Sequence, residues 1–190
     1  MTNLYSTCHK KKILNLYNNL PMYGNNTRYN FCFVENGIKY VNDVYAEDII
    51  NELKPRTVLD YGSGYGLASE RLQSMFPDIT FFNYEPFVPK FSNKPTGSFD
   101  LVICHKVLRA VEPEFRDSVL DEIYSLSSKY VALSLVIYTE DLIDLTYDDW
   151  KEKIFKYKHI IKHGVTTKFN AMTPDEVYRS LVHAGFLIKK

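Results

Sequence analysis

The chain has no excess of charge of either sign. Lys and Arg together number 23, and Asp and Glu together also number 23, so the formal net charge is zero. Proteins that bind long polyanions usually carry a pI above about 9. The composition therefore argues against a generic nucleic-acid binder, although it leaves room for a local basic patch.

Cysteines are few, and long apolar runs are absent from the sequence. The three cysteines, Cys8, Cys32 and Cys104, form no CxxC pair, which argues against a disulfide framework and against a zinc site. No stretch approaches the ~18 apolar residues of a membrane span. Asparagines interrupt the N-terminal segment where a signal peptide would have its apolar core. We therefore expect a soluble, cytoplasmic protein that does not act at a membrane.

Short apolar strands alternate with helical patterns, which predicts an α/β fold. Among the 190 residues, 45% are hydrophobic and 15% are aromatic, enough for one domain with a substantial core. Strand–turn–helix–strand units build parallel sheets. Strands are expected at 57–61, 79–84, 99–104 and 130–137, and a closing strand is expected from Phe186. Helices are expected at 7–20, 42–53, 67–76, from near Pro113, at 148–163 and at 173–185, with residues 21–40 irregular.

A glycine turn follows the first of these strands. Gly62, Gly64 and Gly66 follow a GxGxG spacing, which differs from the GxGxxG of dinucleotide enzymes. Asp60 stands just before the turn, where a carboxylate would repel a pyrophosphate and suit a cationic amino group. Glu85, at the end of the second strand, can accept hydrogen bonds from two ribose hydroxyls. Together these features describe a site for S-adenosylmethionine.

Three motifs resemble those of the class I S-adenosylmethionine-dependent methyltransferases. VLDYGSGYG at 58–66 is similar to the first motif of that family, FDLVICHKVLRAVEP at 99–113 to its fourth-strand motif, and MTPDEVYRSLVHAGF at 172–186 to the helix before its final strands. The runs at 59–66 and 84–104 are most similar to small phage-type methyltransferases. The resemblance covers about residues 42–188.

The resemblance implies a fold, a domain division and a set of site residues. The fold would be a Rossmann-like, mostly parallel twisted sheet with helices on both faces. Residues 42–190 would form the methyltransferase domain, and residues 1–41 an N-terminal helix and a lid-like segment. The cofactor-binding residues would be Asp60, Tyr61, Gly62, Ser63, Gly64, Tyr65, Gly66, Glu85, Pro86, Phe87, Cys104 and His105.

The chain departs from the family pattern at two edges of the predicted sheet. Only 13 residues, 86–98, separate Glu85 from the strand at Phe99, where the family usually places a helix and another strand. We expect this edge to be trimmed, with Phe87 and Val88 either covering the adenine or packing under the loop. The sequence also ends shortly after its first closing strand, so the final hairpin is expected to be incomplete.

The fourth-strand motif is altered where the reaction would occur. Lys106, Arg109 and Ala110 stand where relatives often carry an acid and a Glu-His pair. His105 is the candidate general base; alternatively it lines the adenine or caps a helix. Lys106 and Arg109 either line the substrate entrance, which would favour a small or locally contacted anionic acceptor or a nucleic acid, or are surface charges.

Methyl transfer to an unidentified acceptor by in-line displacement is thus the predicted activity. Two alternatives remain open. One is a module that binds S-adenosylmethionine without catalysis, because the fourth-strand motif is altered. The other is a nicotinamide-dependent oxidoreductase, which Asp60 and the glycine spacing disfavour.

Overall fold

A computed structural model of the chain describes residues 29–33, 42–138, 147–156, 160–170 and 179–190. The strands within these ranges are β1 (Asn30–Phe33), β2 (Asn42–Tyr45), β3 (Thr57–Tyr61), β4 (Thr80–Tyr84), β5 (Phe99–His105), β6 (Ser127–Tyr138), β7 (Ile160–Asn170) and β8 (Arg179–Lys189). The helices are α1 (Ala46–Leu53), α2 (Leu67–Met75), α3 (Arg116–Leu126) and α4 (Tyr147–Phe155). Short 3-10 helices occur at Pro89–Phe91, Leu108–Ala110 and Pro113–Phe115.

Six strands form one sheet in the order β4-β3-β5-β6-β8-β7. The neighbours from β4 to β6 pair in parallel, and β8 runs antiparallel to both β6 and β7. β1 and β2 form a separate antiparallel pair. The predicted Rossmann-like α/β class with a mostly parallel sheet is therefore confirmed.

The central strands are apolar on both faces because each face is covered by helices. Val58, Leu101 and Ala132, on three adjacent strands, belong to a core that includes residues of α1 and α2. Their chain neighbours Leu59, Val102 and Leu133 belong to a second core with α3 and α4. This alternation is the period of two that a strand imposes on its side chains, and it confirms the helices predicted on both faces of the sheet.

The loop between β4 and β5 contains no further helix longer than one 3-10 turn and no strand, so the predicted trimming of this edge is confirmed. Backbone hydrogen bonds within the loop stabilise its conformation. The Glu85 amide donates to the Phe91 carbonyl at 3.0 Å, and the Phe91 amide donates to the Val88 carbonyl at 2.9 Å. As a result β4 is the last strand on this side of the sheet, among the residues that the structure describes.

The predicted start of the helix at 42–53 is wrong by four residues. Residues 42–45 form β2, which pairs with β1. β1 itself lies within residues 21–40, which are predicted to be irregular. Helix α1 therefore begins at Ala46, where the Asp48 carboxylate accepts a hydrogen bond from the Tyr45 amide at 2.8 Å. Asn42 is consequently not the N-cap. The pairing partner lies about ten residues away, so no local signal specified it.

The C-terminal segment differs more from the prediction. Helix α4 ends at Phe155, and residues 160–163, predicted to be helical, belong to β7. The predicted capping box at 173–176 lies outside the described residues, but residues 179–184, predicted to be helical, belong to β8. The final hairpin is thus formed rather than incomplete. β8 inserts between β6 and β7, and hydrogen bonding on both of its edges overrides local helix signals.

Residues of the N-terminal segment contribute to the core. Tyr29 and Phe31 are buried in the same cluster as Ile49 and Ile50 of α1. The predicted helix at 7–20 lies outside the described residues. The division of the chain at residue 42 stays a prediction. Among the helices described, none is long and apolar enough to cross a membrane.

Asp100 links the beginnings of three strands. Its Oδ2 accepts a hydrogen bond from the Arg56 amide at 2.8 Å, and its Oδ1 lies 3.1 Å from Lys129 Nζ. Its own amide donates to Thr57 Oγ1 at 2.9 Å. Burial alone would raise the pKa of Asp100, but these hydrogen bonds and the lysine ammonium outweigh burial and hold the pKa below its ordinary value.

We expect Asp100→Ala to destabilise the fold by about 1–3 kcal/mol, because it leaves the Arg56 amide and the strand ends without their acceptor. Thermal unfolding at neutral pH measures the effect. The matched control is Asp117→Ala, which removes an exposed ion pair with Lys153 and should change stability by less than about 1 kcal/mol. Since the pKa of Asp100 is lowered, its contribution should disappear on acidification. Equal stability of the two variants at neutral pH would contradict this role.

Candidate functional site

Three parallel strands end side by side and bring the predicted site residues together. Asp60 of β3 is aligned with Asn83 of β4 and with Ile103 of β5. Glu85 therefore follows β4, and His105 ends β5, on the same edge of the sheet as Asp60. The carboxyl ends of parallel strands are where ligands bind in open α/β sheets.

The glycine turn after β3 has the backbone that only glycine adopts easily. Gly62, Gly64 and Gly66 have φ angles of 83°, 55° and 80°, in the left-handed region. A Cβ on Gly62 would collide with the Val107 side chain, and a Cβ on Gly66 would lie 2.9 Å from the Phe91 ring. Close packing of the turn against its neighbours thus accounts for two of these glycines without any ligand.

Asp60 is a buried carboxylate whose two oxygens differ. Oδ2 accepts a hydrogen bond from the Tyr29 hydroxyl at 2.7 Å and lies 2.7 Å from Ser69 Oγ. Oδ1 is buried and has no hydrogen-bond partner among the residues that the structure describes. Burial raises the pKa of Asp60 to about 6, against the hydrogen bonds from Tyr29 and Ser69, which lower it, while the charge of Glu85 raises it further.

Glu85 joins the end of β4 to the glycine turn. Its Oε2 accepts a hydrogen bond from the Gly64 amide at 3.3 Å, and its Oε1 accepts one from the Phe87 amide at 3.2 Å. The residue is only 4% exposed. A carboxylate oxygen can accept more than one hydrogen bond, so this arrangement is compatible with a diol that donates to the same carboxylate.

His105 is enclosed by two aromatic side chains from the N-terminal segment. Its ring stacks on Tyr29 with the ring centres 4.6 Å apart and the planes 27° from parallel, and it contacts Phe31 edge-on at 5.8 Å. Sequence reasoning missed both aromatic residues because they lie in a segment predicted to be irregular. Their contacts with His105 join residues about 75 apart in the chain, so no local pattern could have revealed them.

Lys106 follows His105 with a φ angle of 62°, one of two non-glycine residues with positive φ in the described part of the chain. Its amide donates to the Ser134 carbonyl at 2.7 Å, which ties this sharp turn to β6. Arg109 lies in the 3-10 helix that follows, and its side chain lies outside the described part of the structure. The backbone thus turns abruptly where the two predicted substrate residues stand.

The remaining predicted cofactor residues occupy three kinds of environment. Ser63 is buried, and its Oγ has no hydrogen-bond partner among the described residues. Tyr65 is 42% exposed, whereas Pro86 and Phe87 are partly exposed. Tyr61 and Cys104 belong to the core on the α3 side, where the Tyr61 hydroxyl donates to Glu122 Oε1 at 3.3 Å and burial raises the pKa of the Cys104 thiol. Their roles in binding a cofactor stay predictions.

Two buried oxygens of the site have no hydrogen-bond partner in the described part of the chain. Buried polar groups are normally hydrogen-bonded, and Asp60 Oδ1 and Ser63 Oγ are not, within the residues that the structure describes. A cationic amino group would supply a donor to the carboxylate oxygen, and a carboxylate would accept from the hydroxyl. The same part of the chain holds no cluster of His, Cys, Asp and Glu suited to a metal ion.

No protein-family model matches the chain, and no curated protein sequence matches it either. Solved structures do match its fold, a Rossmann-like sheet with helices on both faces that is found in methyltransferases. At the identities given below, these likenesses concern the fold alone.

TehB from Haemophilus influenzae matches with a TM-score of 0.59 and 16% identity, over 76% of this chain and 60% of that protein. The chain thus spans about three fifths of TehB. The plantazolicin methyltransferase BpumL, in complex with a pentazolic desmethylPZN analog and SAH, matches with a TM-score of 0.51 and 13% identity, over 74% of this chain and 80% of that one. The plantazolicin methyltransferase BamL matches with a TM-score of 0.50 and 13% identity, over 72% of this chain and 78% of that one.

We expect Asp60→Asn to stabilise the ligand-free protein at pH 8. The pKa of Asp60 in the fold is about 6 instead of 3.8, so ionisation of this group costs stability as the pH rises from about 4 through about 6. Removing the charge should therefore recover on the order of 1–3 kcal/mol at pH 8 and almost nothing at pH 4, as measured by thermal unfolding. Asp117→Asn, at an exposed position, is the control. A variant less stable than the parent at pH 8 would contradict the expected cost of this buried charge.

Proposed function

We propose that the chain is an S-adenosylmethionine-dependent methyltransferase that acts on an anionic acceptor. The observation that carries the proposal is the buried Asp60 Oδ1, which has no donor among the described residues and lies on the same edge as the glycine turn and Glu85. The fold shared with BpumL, which was crystallised with SAH, supports the same choice of cofactor.

Each part of the cofactor has a candidate partner in this chain. Asp60 Oδ1 would accept hydrogen bonds from the amino group, and Ser63 Oγ would donate to the carboxylate. Glu85 would accept hydrogen bonds from the ribose hydroxyls, with Pro86 and Phe87 beside the adenine. S-adenosylmethionine supplies a methyl group on a sulfonium, which an acceptor atom attacks in line.

The contribution of the protein to such a reaction is chiefly position. Methyl transfer needs the acceptor atom and the methyl carbon held in line, and orientation of this kind lowers the barrier more than a strong base does. The His105 imidazole, held against Tyr29 and Phe31, is the candidate to take the proton of an acceptor that must lose one. Lys106 and Arg109 would attract the negative charge of the acceptor.

A binding module without catalysis is the second candidate. The enclosure of His105, which is only 7% exposed, favours it, because a general base must reach the acceptor. Incubation with S-adenosylmethionine and small carboxylates, phosphates or oligonucleotides separates the two functions. An enzyme forms S-adenosylhomocysteine (SAH) with one of them, whereas a module binds the cofactor and forms none.

The narrower resemblance to small phage-type methyltransferases gains no support from the structures compared above and stays a prediction. The same is true of the cytoplasmic location. Neither supports the proposal of methyl transfer, which rests on the site residues and on the fold shared with BpumL.

Calorimetric titration tests the choice of cofactor. We expect SAH to bind and NAD to bind much more weakly, because Asp60 would repel a pyrophosphate. Glu85→Ala should weaken SAH binding about ten- to a hundredfold through loss of charge-assisted hydrogen bonds, and Glu85→Gln, which keeps one acceptor oxygen, should weaken it less.

The control for this titration is Asp78→Ala, which changes an exposed acid just before the start of β4, at the opposite end of that strand from Glu85, and should leave the affinity unchanged. NAD binding as tight as that of SAH would overturn the proposed cofactor. Unchanged SAH affinity in both Glu85 variants would show that the ribose binds elsewhere.

Charge reversal tests the anionic acceptor. Once an acceptor is identified, Lys106→Glu combined with Arg109→Glu should raise its KM at least about tenfold and leave SAH affinity nearly unchanged, because only the acceptor meets these cations. Added salt should raise KM in the parent enzyme and much less in the variant, since salt screens charge attraction. If the acceptor kinetics of the variant match those of the parent, Lys106 and Arg109 are only surface charges.

A further inference from the structure

Tyr29 connects two groups to which the proposed function gives separate roles. Its hydroxyl donates to Asp60 Oδ2 at 2.7 Å, and its ring stacks on the His105 imidazole at 4.6 Å. The side chain itself is only 6% exposed. It lies in the segment before β1, far in the chain from the motifs that indicate the cofactor site.

The backbone fixes the position of Tyr29. Its carbonyl accepts a hydrogen bond from the Ala46 amide at 3.1 Å, at the first residue of α1. The pairing of β1 with β2 holds the following residues against the same helix. Tyr29 therefore belongs to the buried core, in the cluster that includes Ile49 and Ile50.

The hydroxyl makes the two oxygens of Asp60 unequal. Oδ2 has the Tyr29 hydroxyl and Ser69 Oγ within 2.7 Å, whereas Oδ1 has no partner among the described residues. Ser69 Oγ also lies 2.7 Å from Asn83 Oδ1, and its single hydrogen can be donated to only one of these oxygens at a time. The Ser69 hydroxyl therefore divides its hydrogen between Asp60 and Asn83, whereas the Tyr29 hydroxyl donates to Asp60 Oδ2.

We infer that Tyr29 is a positioning residue of the methyl-transfer site: its hydroxyl occupies Asp60 Oδ2 so that Oδ1 is left for the amino group of the cofactor, and its ring fixes the plane of the His105 imidazole. The inference rests on the proposed function. It extends the site into the N-terminal segment, which would then couple cofactor binding to the orientation of the candidate base.

The hydroxyl also keeps the carboxylate charged at lower pH. A hydrogen bond donated to a carboxylate favours its charged form, and here it opposes burial and the negative charge of Glu85. The other groups beside Asp60 are the Ser69 hydroxyl and the Cys104 thiol, which stays neutral because burial raises its pKa. SAH affinity should therefore fall as the pH drops through about 6 in the parent protein.

Tyr29→Phe removes the hydroxyl and keeps the ring. Calorimetry between pH 5 and pH 8.5 measures SAH affinity against pH. The pH at which the affinity falls on the acid side should rise by about one pH unit. At the alkaline end the affinity should change by no more than about threefold, since Asp60 is ionised there in both proteins. Ser69→Ala, which removes the other donor near Oδ2, should move the profile in the same direction.

A second measurement tests the contact between the Tyr29 ring and His105. In proton NMR spectra, assigned with His105→Gln, the imidazole signals should keep their ring-current shifts in Tyr29→Phe and move in Tyr29→Leu, in which only Phe31 still contributes a ring current. Tyr130→Phe, which removes the hydroxyl of a partly buried tyrosine near the start of β6, at the opposite end of the sheet, is the matched control for both measurements. It should change neither the pH profile nor the His105 signals.

The outcomes distinguish the inference from the function on which it rests. If the parent protein binds no SAH at any pH, the proposed function and this role both fail. If the parent binds SAH and Tyr29→Phe gives an unchanged pH profile, the function stands and the role of Tyr29 is overturned. A shift of equal size in Tyr130→Phe would likewise overturn it, because the effect would then be a general one on stability.

Discussion

Burial of the Asp60 carboxylate at the end of a central strand is the constraint on which the site depends. Removing a carboxylate from water costs free energy unless donors replace the water. Burial raises the pKa of Asp60 to about 6, and the hydrogen bonds from Tyr29 and Ser69, which reach one oxygen only, lower it by less than burial raises it. Asp60 Oδ1, which has no partner among the described residues, is the atom that the amino group of the proposed cofactor would contact.

Packing around the glycine turn supports this arrangement from two sides. Val107, after β5, fills the space that a Cβ of Gly62 would need, and Phe91, in the loop after β4, fills that of Gly66. Glu85 accepts the hydrogen bond of the Gly64 amide. The turn is therefore held by the strand ends on both of its sides, which allows one sheet edge to present a carboxylate, backbone amides and a second carboxylate in fixed positions.

Prediction from the sequence succeeded where the signals were local. β3 was predicted with its observed bounds, α2 to within one residue, and the trimmed edge was evident from the short, proline-containing loop. It failed for residues 160–163 and 179–184, where helix patterns gave way to strands. The residues of β8 pair on both edges, and a strand pairing of that kind depends on partners that no window of sequence contains.

The sequence by itself determined the strand–glycine turn–helix unit. The apolar strand residues, the acid before the turn and the glycines that adopt positive φ lie within a few positions of one another, so local sequence is enough to predict the unit. It also determined that Asp60 and Glu85 would meet, since adjacent parallel strands end at one edge. Only the tertiary structure decided that Tyr29 and Phe31 would enclose His105 and that one oxygen of Asp60 would be occupied. Those contacts join distant segments of the chain, and the packing of the N-terminal segment against the core creates them.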